Sequence, residues 1–379
     1  MAKNIVLCCD GTANEFARDR TNVVKLFHAL VHDPSAQATY YHPGVGTMEA
    51  VGAVTTTGRK VTKLLGLAIG YGLETDIRDA YVFLMNHFKE GDRLFLFGFS
   101  RGAYTVRCVT ALLHMYGLIR PGNEPLVPYA IRMMMAITSL RERNAAKAAI
   151  DEYFDLAAEF KQHFGGERCQ AHFVGVWDTV SSVGWIENPL RLPYTADNPD
   201  IAIGRHAIAL DERRAFFRTN LWRPTPAGGP KDLQQVWFPG VHCDVGGGYP
   251  EAESGLSKIA LQWMLDEAKE ATLLVDPGRK ALVLGQSGGG YVAPDPQAKM
   301  HESLTVPWWP VEFVPKRHYN AKRKKEERRM NLFRHRTIPP GASIHPSAYQ
   351  RGAEYTASLE RRIRTGSVTT PGDGAKTGG

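Results

Sequence analysis

Gly98-Phe99-Ser100-Arg101-Gly102 places a serine between two glycines at the junction of two different periodicities. The apolar run Arg93 to Phe97 precedes it, and Thr105 to Leu118, with helical spacing, follows. A sharp strand-to-helix turn of this kind lifts the serine Oγ clear of the sheet and aims free helix N–H groups at the space beside it. Such a serine is placed to attack a carbonyl, provided the chain supplies a base and an acid elsewhere. Gly98 and Gly102 read as the positions where strand and helix crowd and a Cβ has no room. The plainer alternative is a tight turn with an incidental serine. Gly285-Gln286-Ser287-Gly288-Gly289 repeats the spacing, but Gly290 to Pro296 carry too much Gly and Pro for a helix. Ser287 is therefore read as a turn residue.

In parallel sheets the chemistry gathers at the C-terminal strand ends. The apolar run Ala171 to Trp177 delivers Asp178 there, and Gln234 to Pro239 leads into Gly240-Val241-His242. The chain order Ser100, Asp178, His242 is the order of α/β-hydrolase triads. Asp178 is read as the acid and His242 as the general base, against the ordinary reading of a lone histidine as structural. Asp211 opens a charged stretch and reads as an ion-pair residue. His172 falls inside a strand, and His42, His206, His301 and His345 lack a comparable setting. Asp244 and Gly246 to Gly248 are expected to shape the loop around His242.

The first strand, Asn4 to Cys9, runs into Asp10-Gly11-Thr12. A dehalogenase-type phosphatase would need a nucleophilic Asp where Cys8 stands, so that reading is set aside. An oxyanion loop fits better, with a backbone N–H of Gly11 or Thr12 joining that of Arg101 and with Asp10 orienting the loop. A metal-dependent phosphohydrolase built on Asp10 and Asp244 is a remote alternative with no ligand cluster behind it. No metal or organic cofactor is expected.

Around these residues the chain alternates strands and helices, which implies a mostly parallel sheet flanked by helices, the α/β class. Thr21 caps a helix over Asn22 to Leu30, Thr39 to Tyr41 is a short strand, Pro43 to Thr47 a Gly-rich turn, Leu73 to Phe88 a helix, and Ser257 to Glu270 a closing helix. Residues 121–165 interrupt the alternation as a helical insertion with Met133-Met134-Met135, expected either as a lid over acyl chains or as a plain helical layer. One domain is expected over 1–360, with a disordered tail over 361–379.

With 43% apolar and 22% charged residues the chain can bury a large core. Five cysteines with no Cys-x-x-Cys spacing read as reduced thiols. No secretory signal and no apolar run near the ~18 residues of a membrane span are evident, so a cytoplasmic location is expected. The net charge of +7 is concentrated in residues 316–329, where eight Lys or Arg face two Glu. This segment is read as a solvated helix or loop. It could also meet an anionic membrane, whereas specific nucleic-acid binding lacks any matching module.

With these motifs in view, the chain resembles the α/β-hydrolase family that contains the catalytic domain of type VI secretion phospholipase effectors. The matching stretches are Cys9 to Thr12, Thr21 to Val23, Pro43 to Thr47, Gly98 to Tyr104, Gly175 to Val180, Ala209 to Arg213 and Pro239 to Tyr249. The resemblance implies Ser100, Asp178 and His242 as the triad and a phospholipid or other lipid ester as substrate. The expected function is hydrolysis of carboxylic esters. The alternative is an idle hydrolase scaffold that binds an anionic lipid or a protein partner.

Overall fold

A computed structural model describes residues 2–11, 20–44, 72–143, 145–180, 184–185, 188–189, 191–223, 228–320 and 325–367. The elements run β1 (Asn4–Cys9), α1 (Asn22–Ala29), β2 (Gln37–His42), α2 (Leu73–His87), β3 (Arg93–Phe99), α3 (Arg101–Tyr116), α4 (Val127–Glu142) and α5 (Lys147–Phe164). They continue with β4 (Ala171–Trp177), β5 (Ile201–Ala209), β6 (Asp232–Phe238), α6 (His242–Gly246), α7 (Gly255–Glu270) and α8 (Pro277–Val283). Last come β7 (Lys316–Asn320), β8 (Lys325–Arg329), β9 (Ser343–Ile344) and α9 (Ala353–Ser367).

Seven strands form one sheet in the order β9-β6-β5-β4-β3-β1-β2, and every pairing in it is parallel. Both faces of the sheet are buried, so its strands are continuously apolar and successive side chains divide between two cores. Leu94 and Leu96 pack with α2, α3 and the two helices that follow, while Phe95, Phe97 and Phe99 pack with α1, α7 and α8. Val174 and Val176 against Phe173 and Trp177 repeat the division on β4. A smaller core of Ile208, Trp237, Ile338 and Leu359 seats α9 at the β6 edge. This is the α/β-hydrolase-like architecture expected from the alternation.

The chain begins at β1, pairs outward with β2, then returns to the other side of β1 with β3. Loops leaving β1 and β3 therefore part in opposite directions and open a crevice at their C-terminal ends. Gly11 follows the end of β1 and Ser100 the end of β3, the neighbouring strand.

Two expectations are corrected, and one that stood between two readings takes the plainer of them. Met134 is fully buried and Met133 nearly so, within the same core as α2 and α3. The insertion is thus a helical layer with its Met-rich face turned inward, rather than a lid with that face free for acyl chains. In the basic segment the described residues are neither helix nor loop but an antiparallel pair of strands, β7 and β8. The C-terminal helix runs to Ser367, beyond the boundary placed at 360, because Leu359 and Ile363 give it an apolar face and Arg362 pairs with Asp211 at 2.8 Å. Thr12, most of the Pro43 to Thr47 turn and residues 368–379 lie outside the described residues.

Candidate active site

β3 ends at Phe99 and α3 begins at Arg101, leaving Ser100 alone to make the turn at φ 57°, ψ −118°. A positive φ on a non-glycine residue costs about 1–3 kcal/mol and persists only where its surroundings impose it. Here they do. A Cβ on Gly98 would lie 2.5 Å from Gly102 O, and one on Gly102 would lie 2.2 Å from Cys9 O and 2.4 Å from Asp10 O. Strand, helix and the end of β1 are in backbone contact on both sides of the serine. Helix α3 starts directly after Ser100, so its N-terminal turn lies next to the serine. The Arg101 side chain is buried, and burial lowers its guanidinium to about 10 against the opposing charge of Asp76.

At the end of β4, Asp178 turns at φ 38° and is wholly buried. Its Oδ2 accepts a 2.5 Å hydrogen bond from His242 Nδ1. Its Oδ1 accepts from Ala209 N at 3.0 Å. Arg336 adds a fork, Nη1 to Oδ1 at 2.5 Å and Nη2 to Oδ2 at 3.0 Å. Burial alone would raise this carboxyl, but the Arg336 charge and the His242 bond outweigh it and hold Asp178 well below the usual carboxylate range. Asp178 is thus ionised.

Three carboxylates hold the segment that carries His242, one for each successive N–H. Gly240 N donates to Asp211 Oδ2 at 2.7 Å, Val241 N to Asp244 Oδ2 at 3.0 Å, and His242 N to Glu212 Oε2 at 3.2 Å. Each carboxylate is fixed in turn, Asp211 by Arg362 and Tyr355, Asp244 by His301 Nδ1 at 2.6 Å, and Glu212 by Arg214 and Ser303. Burial raises Glu212, yet its bond and charge pairing with Arg214 bring it down to about 2. The His242 ring itself lies between Phe99, at 4.6 Å centroid to centroid, and Phe217, edge-on at 4.8 Å. Burial lowers its pKa, Asp178 raises it, Arg214 lowers it and Glu212 raises it, with a net fall below the ordinary imidazole value. A neutral ring whose Nδ1–H is given to Asp178 leaves Nε2 as the basic nitrogen.

The structure thus brings Asp178 and His242 into direct contact and sets the residue before Ser100 against the His242 ring. Among the described residues no hydrogen bond joins Ser100 to His242. Asp10 engages the loop after β1, with Oδ1 accepting from Gly11 N at 2.7 Å and Oδ2 from Thr21 Oγ1 at 2.6 Å and Tyr41 OH at 2.9 Å. The Gly11 N–H, one of the two oxyanion donors expected on this loop, is thus bonded to the neighbouring carboxylate in this structure. Thr12, the other donor proposed on that loop, lies outside the described residues. The oxygens of Asp10 and Asp244 are occupied by these donors, and no His, Cys, Asp and Glu cluster among the described residues suits a metal ion. Ser287 lies in a turn beyond α8.

Arg336, Glu212 and His301 escaped the sequence reading. Arg336 sits in extended chain with no motif around it, and His301 and Glu212 become polar partners only through the tertiary fold.

A family model described as the catalytic domain of type VI secretion, Tle1-like phospholipase effectors matches residues 3–267. The uncharacterised protein YEL023C of Saccharomyces cerevisiae is 35% identical over 232 residues, 59% of this chain and 33% of that one. An uncharacterised protein from Pseudomonas aeruginosa, solved by crystallography, is 21% identical over 76% of this chain and 49% of its own, at a TM-score of 0.44. The Tle1 effector solved bound to the VgrG spike is 20% identical over 68% of this chain and 53% of its own, at a TM-score of 0.32. The chain spans about a third of the yeast relative and about half of each solved protein.

Proposed function

This chain belongs to the family of Tle1-like phospholipase effector catalytic domains, and from that premise we propose that it hydrolyses carboxylic esters of lipids with Ser100 as nucleophile. The observation that carries the proposal is the 2.5 Å bond from His242 Nδ1 to Asp178 beside a serine held at positive φ. Ser100 Oγ attacks the ester carbonyl while His242 Nε2 takes its proton. Asp178 keeps the ring in the Nδ1–H tautomer and stabilises the imidazolium. The oxyanion meets the Arg101 N–H, with Thr12 the second donor of the loop after β1. His242 returns the proton to the departing alcohol, leaving an acyl-serine. Water, deprotonated by the same nitrogen, then releases the fatty acid.

An apolar substrate is favoured by the flank of the site. Trp308 meets Phe217 edge-on at 5.4 Å, and Phe217 meets His242. On the same segment Trp309 and Phe313 are half exposed against Phe333. These rings, followed in sequence by the basic strand pair, would suit contact with an anionic lipid surface.

The test is fluorophosphonate labelling of the wild type beside Ser100→Ala and Ser287→Ala. Labelling lost only in Ser100→Ala supports the proposal, and hydrolysis of phospholipid and simple acyl esters then assigns the substrate. Labelling absent from the folded wild type and from detergent-activated protein would turn the reading to an idle scaffold.

A further inference from the structure

Arg336 reaches the site from an extended stretch between β8 and β9, outside the residues matched by the family model. All five of its N–H groups have acceptors. Two form the fork on Asp178, Nε and Nη2 both reach Phe217 O at 3.1 and 2.6 Å, and Nη1 also reaches Ala209 O at 3.1 Å. Its side chain is 8% exposed. Such a guanidinium cannot reorient without breaking several bonds at once.

An acid that serves only one histidine lends that ring its whole negative charge. Here the same carboxylate is shared. We propose that Arg336 is a positioning residue of this site, fixing the plane of the Asp178 carboxylate and drawing on its charge so that His242 keeps its proton less readily than an isolated Asp–His pair would.

The charges facing His242 bear this out. From β4 comes Asp178, from the segment after β5 come Glu212 and Arg214, and from the extended stretch comes Arg336. Asp244 on α6 is engaged by His301, and Lys258 on α7 is turned to Glu251 and Val283 O. His206 on β5 accepts the Thr179 N–H through Nε2, and burial lowers its pKa to about 3, so it is neutral. Cys243 is likewise neutral because burial raises its thiol to about 12. Asp178 and Glu212 favour the protonated ring and Arg214 opposes it, while Arg336 acts on the ring through the Asp178 carboxylate that it forks. Removing Arg336 leaves the Asp178 charge to His242 alone, and the ring then holds its proton to higher pH.

The link to catalysis rests on the hydrolase reading above, but the claim about Asp178 and His242 does not. The experiment follows histidine titration by NMR with ring-labelled protein, His242 being assigned by its loss in His242→Gln. The pH profile of Ser100 labelling is recorded in parallel. In Arg336→Gln the His242 midpoint should rise by about one pH unit. The acid limb of the labelling rate should rise with it. Arg336→Lys keeps a charge but loses the fork, so its midpoint should rise by less and its rate should fall about tenfold. An unmoved midpoint in folded Arg336→Gln overturns the proposal. Should that variant not fold, a wild-type midpoint and rate in Arg336→Lys overturns it instead. A shifted midpoint in protein that never labels at Ser100 sustains the role of Arg336 and refutes the hydrolase reading.

Discussion

Gly246, at the end of α6, offers the sharpest test of how the proposed nucleophile Ser100 and base His242 are held together. A Cβ built there would lie 1.9 Å from Phe99 Cε2, 2.2 Å from Cδ2 and 2.4 Å from Cζ. Carbon atoms in contact sit about 3.5–4.0 Å apart, so the ring must retreat by about 1.5 Å. Phe99 is 2% exposed and already packs against the His242 ring at 4.6 Å. It cannot retreat without moving His242, Ser100 or both. Overpacking of a closed core costs about 1–3 kcal/mol, and a misplacement near 1 Å at reacting groups costs about 10²-fold in rate. Gly246→Ala should therefore lower unfolding free energy in urea by that amount. The rate of fluorophosphonate labelling should fall about 10²-fold. The double variant Gly246→Ala/Phe99→Leu removes most of the clash and should recover at least 1 kcal/mol of the stability, a coupling that two unrelated sites would not show. A folded Gly246→Ala protein with wild-type stability and labelling rate would refute the reasoning. So would lost stability with no rate loss, because Phe99 would then move without carrying the site.

Acid should destabilise the fold in two stages. His206, lowered to about 3, resists protonation when folded, so its contribution is complete above the unfolded value near 6.5 and is lost as pH falls from there towards 3. Glu212, lowered to about 2, contributes above about 4.5 and loses that contribution between 4.5 and 2. Urea midpoints measured from pH 7 to 4 should therefore decline already below 6.5, and His206→Gln should flatten that part of the curve. Arg107, fully buried, donates from Nε to Thr195 O at 2.7 Å and from Nη1 to Asn220 O at 2.6 Å. Arg107→Met leaves both carbonyls buried and unpaired and should cost about 2–4 kcal/mol in urea unfolding, and a neutral result would show that the two loops find other donors.

What the sequence made legible was governed by local rules. The elbow announces itself because the strand period, two glycines and the helix period meet within ten residues. Asp178 directly follows β4 and His242 comes four residues after β6, and parallel strands bring both to one edge of the sheet. The limits came where the determining contacts are distant. The strands β7 and β8 carry charge on seven of their ten residues and have no apolar alternation, so composition alone pointed to a solvated helix or loop. The Met-rich stretch of α4 looks the same whether it faces lipid or core, and only the packing of α2 and α3 against it decides. Gly11 was read as a donor from its place after β1, yet the carboxylate one residue earlier reaches its N–H. That bond depends on rotamer choice rather than on sequence pattern.

The partition of the site along the chain follows from the same physics. Residues 3–267 contain Ser100, Asp178 and His242, and they are the part matched by the family model. The groups that neutralise or fix the buried carboxylates of that site come largely from beyond it: His301 on Asp244, Ser303 on Glu212, Arg336 on Asp178, and Tyr355 and Arg362 on Asp211. Four carboxylates around one histidine and the two residues before it are tolerable inside a protein only when each has a donor or a cation. A chain cut near 267 would retain every group that takes part in the proposed chemistry, and would leave Asp178 and Asp211 buried without their guanidinium partners. Those carboxyls would then either protonate or draw water into the site, and a protonated Asp178 can no longer stabilise the His242 imidazolium. The C-terminal third is therefore part of the site's electrostatics, although it contributes no nucleophile, base or oxyanion donor to the proposed reaction.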